Sequence, residues 1–228
     1  MFTTSALYNR ILLDKRHTKE VKVQIAGVDY GQRVISSCFI SGGAFRDFAI
    51  GECASREIDI TVKPPYPVPR MAQILVSYRL TVGVEISEWV PGGVFFVDTR
   101  KEDKVTGWTT FHGYDAMLKA EQIYLPEGDT GEWPRTQQAV VNEIRTRMGV
   151  ELDSRTVINS SYMVEYPNDM TMREVLMNIA VAHVGNWRIT NEGKLLLVPV
   201  RGMPAESNLL VDNGDGGAIL FGNVRILI

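Results

Sequence analysis

From Val21 the apolar positions recur at every second residue: Val21, Val23 and Ile25 alternate with Lys22 and Gln24. That is the period of a strand with one face buried. The alternation returns in EIDITV, where Ile58, Ile60 and Val62 point one way and Glu57, Asp59 and Thr61 the other. Residues 34–40, 73–82, 84–90, 94–99 and 105–112 read as further strands. Short links carrying Gly, Pro or charge join them: GVDYG, SGG, VPGG and RKEDK. Six or seven strands with tight turns and no helix between them predict an antiparallel barrel or sandwich. Residues 63–70, KPPYPVPR, have the look of a proline-rich ligand for an SH3-type groove. After Pro64 and Pro67 the basic residue comes one position late for that pattern, so the stretch reads as a stiff polyproline link between strands.

Helical periods flank this region. Residues 4–13 predict a short amphipathic helix with Leu7, Ile11 and Leu12 on one face, followed by a charged break, DKRHTKE. At Gly113 the period turns helical again, and Tyr114, Met117, Leu118 and Ile123 predict a helix to about residue 124. After the loop LPEGDTGEWP, a second helix is expected over residues 135–148. Val140, Val141, Ile144 and Met148 form its stripe, and Gly149 is its natural stop. A short strand at 161–165 leads to a third helix. Thr171 and Glu174 open it as a Thr-x-x-Glu capping box, with Met170 and Val175 at the positions of a hydrophobic staple. Val175, Leu176, Ile179 and Ala180 make its buried stripe; Met172, Val181 and Val184 widen it, so the helix is expected to be covered on most sides. Gly185 is read as the left-handed turn that ends it. Trp187 and Ile189 then start a strand, residues 191–193 turn, and residues 195–200 return. Thr171, Glu174, Gly185 and Trp187 are therefore singled out as structural residues of a rigid capped helix and hairpin. Two strand-like pieces follow, 208–211 and 218–228. The second is apolar to the last residue, which predicts either a paired strand or the front part of a longer polypeptide.

Composition narrows the function classes. A net charge of −3 over 228 residues lacks the basic balance of a dedicated nucleic-acid binder. The 45% apolar and 22% charged fractions are those of a folded protein with a sizeable core. The N-terminus lacks the apolar core of a signal peptide, and no apolar run approaches the length of a membrane span, so folding in a cytoplasm without membrane insertion is expected. Cys38 and Cys53 form neither a CxxC motif nor a disulfide framework and read as small buried hydrophobes.

The search for chemistry returns no constellation. His17, His112 and His183 belong to no HExxH and to no pair with metal-ligand spacing on a helix face. His183 stands near a helix C-terminus, where the dipole favours imidazolium, and reads as structural. There is no GxSxG, GxGxxG or GxxxxGK[ST]. The loop DNGDGG, residues 212–217, places Gly214 and Gly216 where an EF-hand needs oxygen ligands, so it reads as a turn. The acid pairs Glu85 with Glu88 and Glu102 with Asp103 read as solvated faces. Trp89, Trp108, Trp133 and Trp187 could form a sugar- or partner-binding surface, or anchor a core. No catalytic residue, metal ligand or cofactor is expected.

Four stretches in order carry a resemblance: IGECASREIDITV, SEWVPGGVFFVDTRK, FHGYDAMLKAEQIY and PNDMTMREVLMNIAVAHVGNWRITNEGKLLLVPV. Together they resemble the hub proteins of phage tails and tail-like prophage particles, over roughly residues 20–200. The resemblance implies an α+β fold. Residues 1–19 would be a helical arm and 20–112 an antiparallel β-barrel related to the tail-tube fold. Residues 113–200 would be an α/β insert with two or three helices and a hairpin, and 201–228 the beginning of a second barrel or return strands to the first. It implies a structural virion component at the distal end of the tail tube, made in the bacterial host cytoplasm. That component would be a homotrimer partnered by tail-tube and tail-tip or baseplate proteins, touching DNA only as it passes through the channel. A mildly acidic chain suits such a channel, because phosphate binding scales with Lys and Arg contacts. The peptidoglycan-degrading motifs of longer hub proteins are absent. Two other readings stay open from the residues alone: a fragment of a cell-wall-directed hydrolase, and a carbohydrate- or receptor-binding β-module.

Overall fold

The computed structural model describes residues 4–45, 49–125 and 131–200, and the backbone of two short strands, Leu220–Phe221 and Val224–Arg225. The chain opens with a short helix, α1 (Ala6–Leu13), capped by the Ser5 hydroxyl, which accepts from the Tyr8 amide. Nine strands follow: β1 (Thr18–Ile25), β2 (Val28–Gly31), β3 (Ile35–Gly42), β4 (Cys53–Ala54), β5 (Arg56–Val62), β6 (Gln73–Val82), β7 (Glu85–Ile86), β8 (Val90–Glu102) and β9 (Thr109–Tyr114). Seven of them form one antiparallel sheet in the order β2-β1-β6-β8-β9-β5-β3, with β7 attached to β6.

The topology forces this sheet to curl. β2 and β3 stand at opposite edges, yet only the 3-10 turn Gln32–Val34 joins them. Laid flat, seven strands at ~4.8 Å spacing would hold those edges about 29 Å apart. Three residues rising ~2 Å each cannot cover that distance. The sheet therefore wraps into a half-barrel whose edge strands meet at one corner. Its inner face carries Val23 and Ile25 of β1, Ile58, Ile60 and Val62 of β5, Ile74 and Val76 of β6, Phe95 and Val97 of β8 and Phe111 of β9. The α+β class and the antiparallel N-terminal sheet are as the sequence predicts.

Several boundaries differ, each for a physical reason. The link GVDYG contains β2, whose Tyr30 is buried; four residues are too few to show a period. VPGG lies inside β8, which runs 13 residues and takes in part of RKEDK as well. A Cβ on Gly92 would stand 3.0–3.2 Å from Val76 and the Tyr78 ring, and one on Gly93 would stand 2.4 Å from the Phe95 ring. These glycines serve close approach rather than a turn. Of residues 84–90, Glu85–Ile86 form the short β7 and Val90 already opens β8, while Val84 is 96% exposed. β9 begins at Thr109 instead of 105, because the Asp103 carboxylate accepts from the amides of Val105 and Thr106 and holds a turn there. On α1, Tyr8 and Ile11 are buried while Leu12 faces solvent.

The rest of the chain is built on helices. The predicted helix after Gly113 is a 3-10 helix, Ala116–Glu121, capped by Asp115. It is short because Tyr114 is still paired within β9 and Ile123 already bridges to Thr171. β10 (Arg135–Thr136) precedes α2 (Gln137–Met148) and pairs with β11 (Met163–Val164). Thr136 caps α2 and Gly149 ends it in the left-handed region at φ 67°. α3 (Met172–Ala182) leads to the hairpin of β12 (Gly185–Ile189) and β13 (Leu195–Pro199). β4, which lies within the stretch predicted as barrel, instead pairs in parallel with β12. The core here combines Met117, Met148, Met172, Leu176, Ile179 and Trp187, among others. Val181 and Val184 are half exposed, so α3 is open on one side rather than covered on most. Near the C-terminus β14 (Leu220–Phe221) and β15 (Val224–Arg225) pair as an antiparallel ladder, where the sequence reads one strand-like piece. The expected strand at 208–211 and the loop at 212–217 lie outside the described residues.

Candidate functional site

The singled-out residues all serve the third helix and its hairpin. The Thr171 hydroxyl accepts from the Glu174 amide at 3.2 Å, and the Glu174 carboxylate accepts from the Thr171 amide at 2.7 Å. That reciprocal pair satisfies two amides of the first turn. Trp187, in β12, is fully buried. Its indole Nε1 donates to the Leu176 carbonyl at 2.8 Å, and its amide donates to the Glu52 carbonyl at 2.7 Å. One residue, through its indole and its backbone amide, thus ties α3, β12 and the segment before β4 together. Gly185 does not make the left-handed turn; Val184 does, at φ 47°, and Gly185 already belongs to β12. The glycine is needed for a different reason: a Cβ there would stand 2.8 Å from the Val198 carbonyl oxygen across the hairpin. The strained Val184 is held by its own carbonyl, which accepts from the Val200 amide.

Sequence reasoning missed the junction between the half-barrel and the helices. Arg56, the first residue of β5, points inward in phase with Ile58 and is 8% exposed. Its guanidinium donates from Nη1 to the Asn191 side-chain oxygen at 2.7 Å and to the Gly92 carbonyl at 3.2 Å, and lies over the Phe95 ring. Its Nε and Nη2 are buried without a hydrogen-bond partner among the described residues. Next to it Asp115, fully buried, accepts from the Arg56 amide at 2.9 Å, the Met117 amide at 3.0 Å and the Ser55 hydroxyl at 3.2 Å. Burial pushes the Asp115 carboxyl up from its usual range, opposed by these hydrogen bonds and by the Arg56 charge. Asn186 adds a second tie, accepting from the Glu52 amide and donating to the Ala49 carbonyl. The available signal was the parity of Arg56 within the alternating strand.

The titratable candidates are dispersed. His17 bonds the Asp14 carbonyl, His112 the Asp59 carboxylate and His183 the Gln137 side chain. Burial moves His183 below the usual histidine range, which favours the neutral ring over the imidazolium that the helix dipole suggests. Cys38 and Cys53 are both free; burial pushes the Cys53 thiol up to about 12. Glu85 pairs with Arg10, while Glu88 accepts from Ser5. Trp89 stands between Lys22 and Arg79, Trp108 lies under Lys63, and Trp133 packs between Tyr124 and Tyr166. Among the described residues no group of three or more His, Cys, Asp or Glu side chains could hold a metal ion, and no helix is long and apolar enough to cross a membrane.

Two surface features remain. One is the pair of sheet edges, β2 and β3, free among the described residues, the latter presenting Phe39 at 65% exposure. The other is a cleft of about 700 Å³ on the outer face of the β12–β13 hairpin, walled by the segment 153–155.

Compared by sequence, no protein family and no curated protein matches the chain. Compared by structure, it is similar to the 43 kDa tail protein of prophage MuSo2 from Shewanella oneidensis. That match has a TM-score of 0.52 at 12% identity and covers 82% of this chain and 57% of that one. A tail protein from Neisseria meningitidis gives a TM-score of 0.47 at 12% identity, over 78% of this chain and 51% of that one. A prophage tail protein from Listeria monocytogenes gives 0.45 at 12% identity, over 79% and 50%. The chain thus has the fold of the MuSo2 tail protein over most of its own length, and spans 57% of that protein's.

Proposed function

We propose that the protein is a structural component of a phage or prophage tail: a hub that joins the tail tube to the tail tip, lines the DNA channel and acts as a homotrimer without catalytic activity. The observation that carries this reading is the fold shared with the MuSo2 tail protein across 82% of the chain. The order of the four sequence stretches, which resembles hub proteins independently of that superposition, supports it. The free edges β2 and β3 support it too, since unpaired strand edges suit a subunit completed by assembly. The place of action is the distal end of the virion tail. Co-expression with tail-tube and tip proteins, followed by mass measurement in solution and negative-stain imaging, tests the reading. A trimer mass and ring-shaped particles that cap tubes are expected. A chain that stays monomeric and joins no tail particle would overturn it.

A further inference from the structure

The helix α3 is apolar on more sides than its own core uses. Past Glu174 it reads VLMNIAVA, in which Asn178 is the one polar residue. Val175, Leu176, Ile179 and Ala180 are buried, while Met177 and Val181 look outward and join Ile50, Val184 and Val200 in one face. Backbone contacts gather these segments at the C-terminal end of the helix. A Cβ on Gly51 would stand 2.5 Å from the Val181 side chain, and the Gly51 amide donates to the Gly185 carbonyl at 2.9 Å. The Val200 amide donates to the Val184 carbonyl at 2.8 Å. The five side chains are each 38–54% exposed, and none is charged. A helix that is apolar on nearly every side belongs in an interior. Val184 adds a second sign: a β-branched residue rarely holds φ 47°, and such strain is kept where the residue has a role.

We propose that the C-terminal hairpin of the same chain, β14–β15, docks on this face. The hairpin needs such a support. Its ladder has two pairs, Leu220↔Arg225 and Phe221↔Val224, and an isolated two-stranded hairpin is marginally stable at best in water. The register puts Phe221 and Val224 on one face and Arg225 on the other. An uncharged apolar face on the hairpin thus meets an uncharged apolar face on α3. The chain also delivers the hairpin there. Val200, from which the link to it departs, is itself part of the α3 face. The link is residues 201–217, and a random coil of that length spans about 23 Å root mean square. A segment tethered at the rim of its own docking face competes at an effective concentration of about a millimolar. An untethered partner or a second copy needs a far tighter fit to displace it. The inference stands on the α3 face and does not rest on the tail reading.

Two measurements on the full chain test this. The first is a double-mutant cycle in urea. Val181→Gln and Phe221→Gln should each lower the unfolding midpoint, and the double variant should fall no further than the worse single one. Losses that add would overturn the proposal, as would a Phe221→Gln protein that unfolds like the parent. The second measurement maps the contact itself. In a Cys38→Ser background, Val181→Cys and Phe221→Cys together should form a disulfide within one chain under mild oxidation, read by non-reducing electrophoresis and peptide mass. Phe39→Cys on β3, combined with Phe221→Cys, should not. A dominant bridge between positions 39 and 221 would put the hairpin on the edge of the half-barrel. A bridge between 181 and 221 found only between chains would give the α3 face to a second copy. Either result overturns the proposal, and neither readout depends on whether the chain joins a tail particle.

Discussion

The half-barrel and the helical unit bury their cores by opposite routes. In the half-barrel, mostly β-branched side chains come from strands far apart in sequence, and among the described residues the sheet still ends in two free edges. In the helical unit, flexible methionines and one tryptophan fill a core enclosed by short capped helices and a hairpin. The first is non-local and unfinished; the second is local and closed, apart from β4, which it borrows from the half-barrel's stretch of chain. The difference teaches where each kind of stability resides. The helical unit centres on one large side chain, Trp187, while the half-barrel spreads its burial over many valines and isoleucines around Phe95 and Phe111. The unfinished edges belong to the unit that the proposed assembly would complete.

The largest effect follows from that contrast. Trp187→Ala removes the fully buried indole and its bond to Leu176, at a cost of about 3–5 kcal/mol. Ile60→Ala in the half-barrel should cost less, within the ~2–5 kcal/mol range for buried aliphatics. Urea denaturation of both variants checks the order. Because Arg56, Asn186 and β4 tie the units, a single unfolding transition is expected for the parent protein. Two separate transitions would break that coupling and make the units independent.

The next prediction concerns the tie itself. Asp115→Ala leaves the Arg56 and Met117 amides without an acceptor, which costs about 1–3 kcal/mol. It also removes the nearest buried counter-charge to Arg56. The expected outcome is a lower urea midpoint together with a split transition, the split being absent from Ile60→Ala.

What the sequence revealed follows the same division. The periods of β1, β5 and β6, and the caps of α2 and α3, are statements about neighbouring residues, and neighbours are what a sequence displays. The exchange between Val184 and Gly185 was not legible: a cross-strand clash with Val198 fixes the glycine, and that contact exists only once the hairpin is built. Nor was the junction. Arg56 meets Asn191 across 135 positions, and a charged residue at a strand's first position reads as solvated until its partner is known.

Within the helical unit, local effects should be smaller than the loss of Trp187. Thr171→Ala removes the acceptor for the Glu174 amide at an exposed helix end, so about 1 kcal/mol is expected. Thr171→Ser, which keeps the oxygen, should restore most of it. A Thr171→Ala loss comparable to that of Trp187→Ala would mean that the cap organises the core rather than merely starting the helix.

The smallest effect separates the units by the sign of their response to acid. The hydrogen bonds from the Arg155 side chain, its backbone amide and its charge together hold the Asp153 carboxyl down at about 2, from an ordinary 3.8. A depressed carboxyl contributes stability that is present above its unfolded value and lost as pH falls toward its folded one. Asp153 therefore destabilises the helical unit as pH drops from about 4 to about 2. Asp115 at the junction has the opposite sign: burial raises its carboxyl, so protonation relieves a penalty that is in force at higher pH. Thermal melts of the parent and Asp153→Asn proteins across this range measure the difference. The variant starts lower at neutral pH, because it has lost the ion pair with Arg155, and falls less steeply in acid. If the two slopes coincide, the Asp153–Arg155 pair contributes nothing to folding, and the wall of the cleft is held by the backbone bonds of residues 151–153 to Leu195 instead.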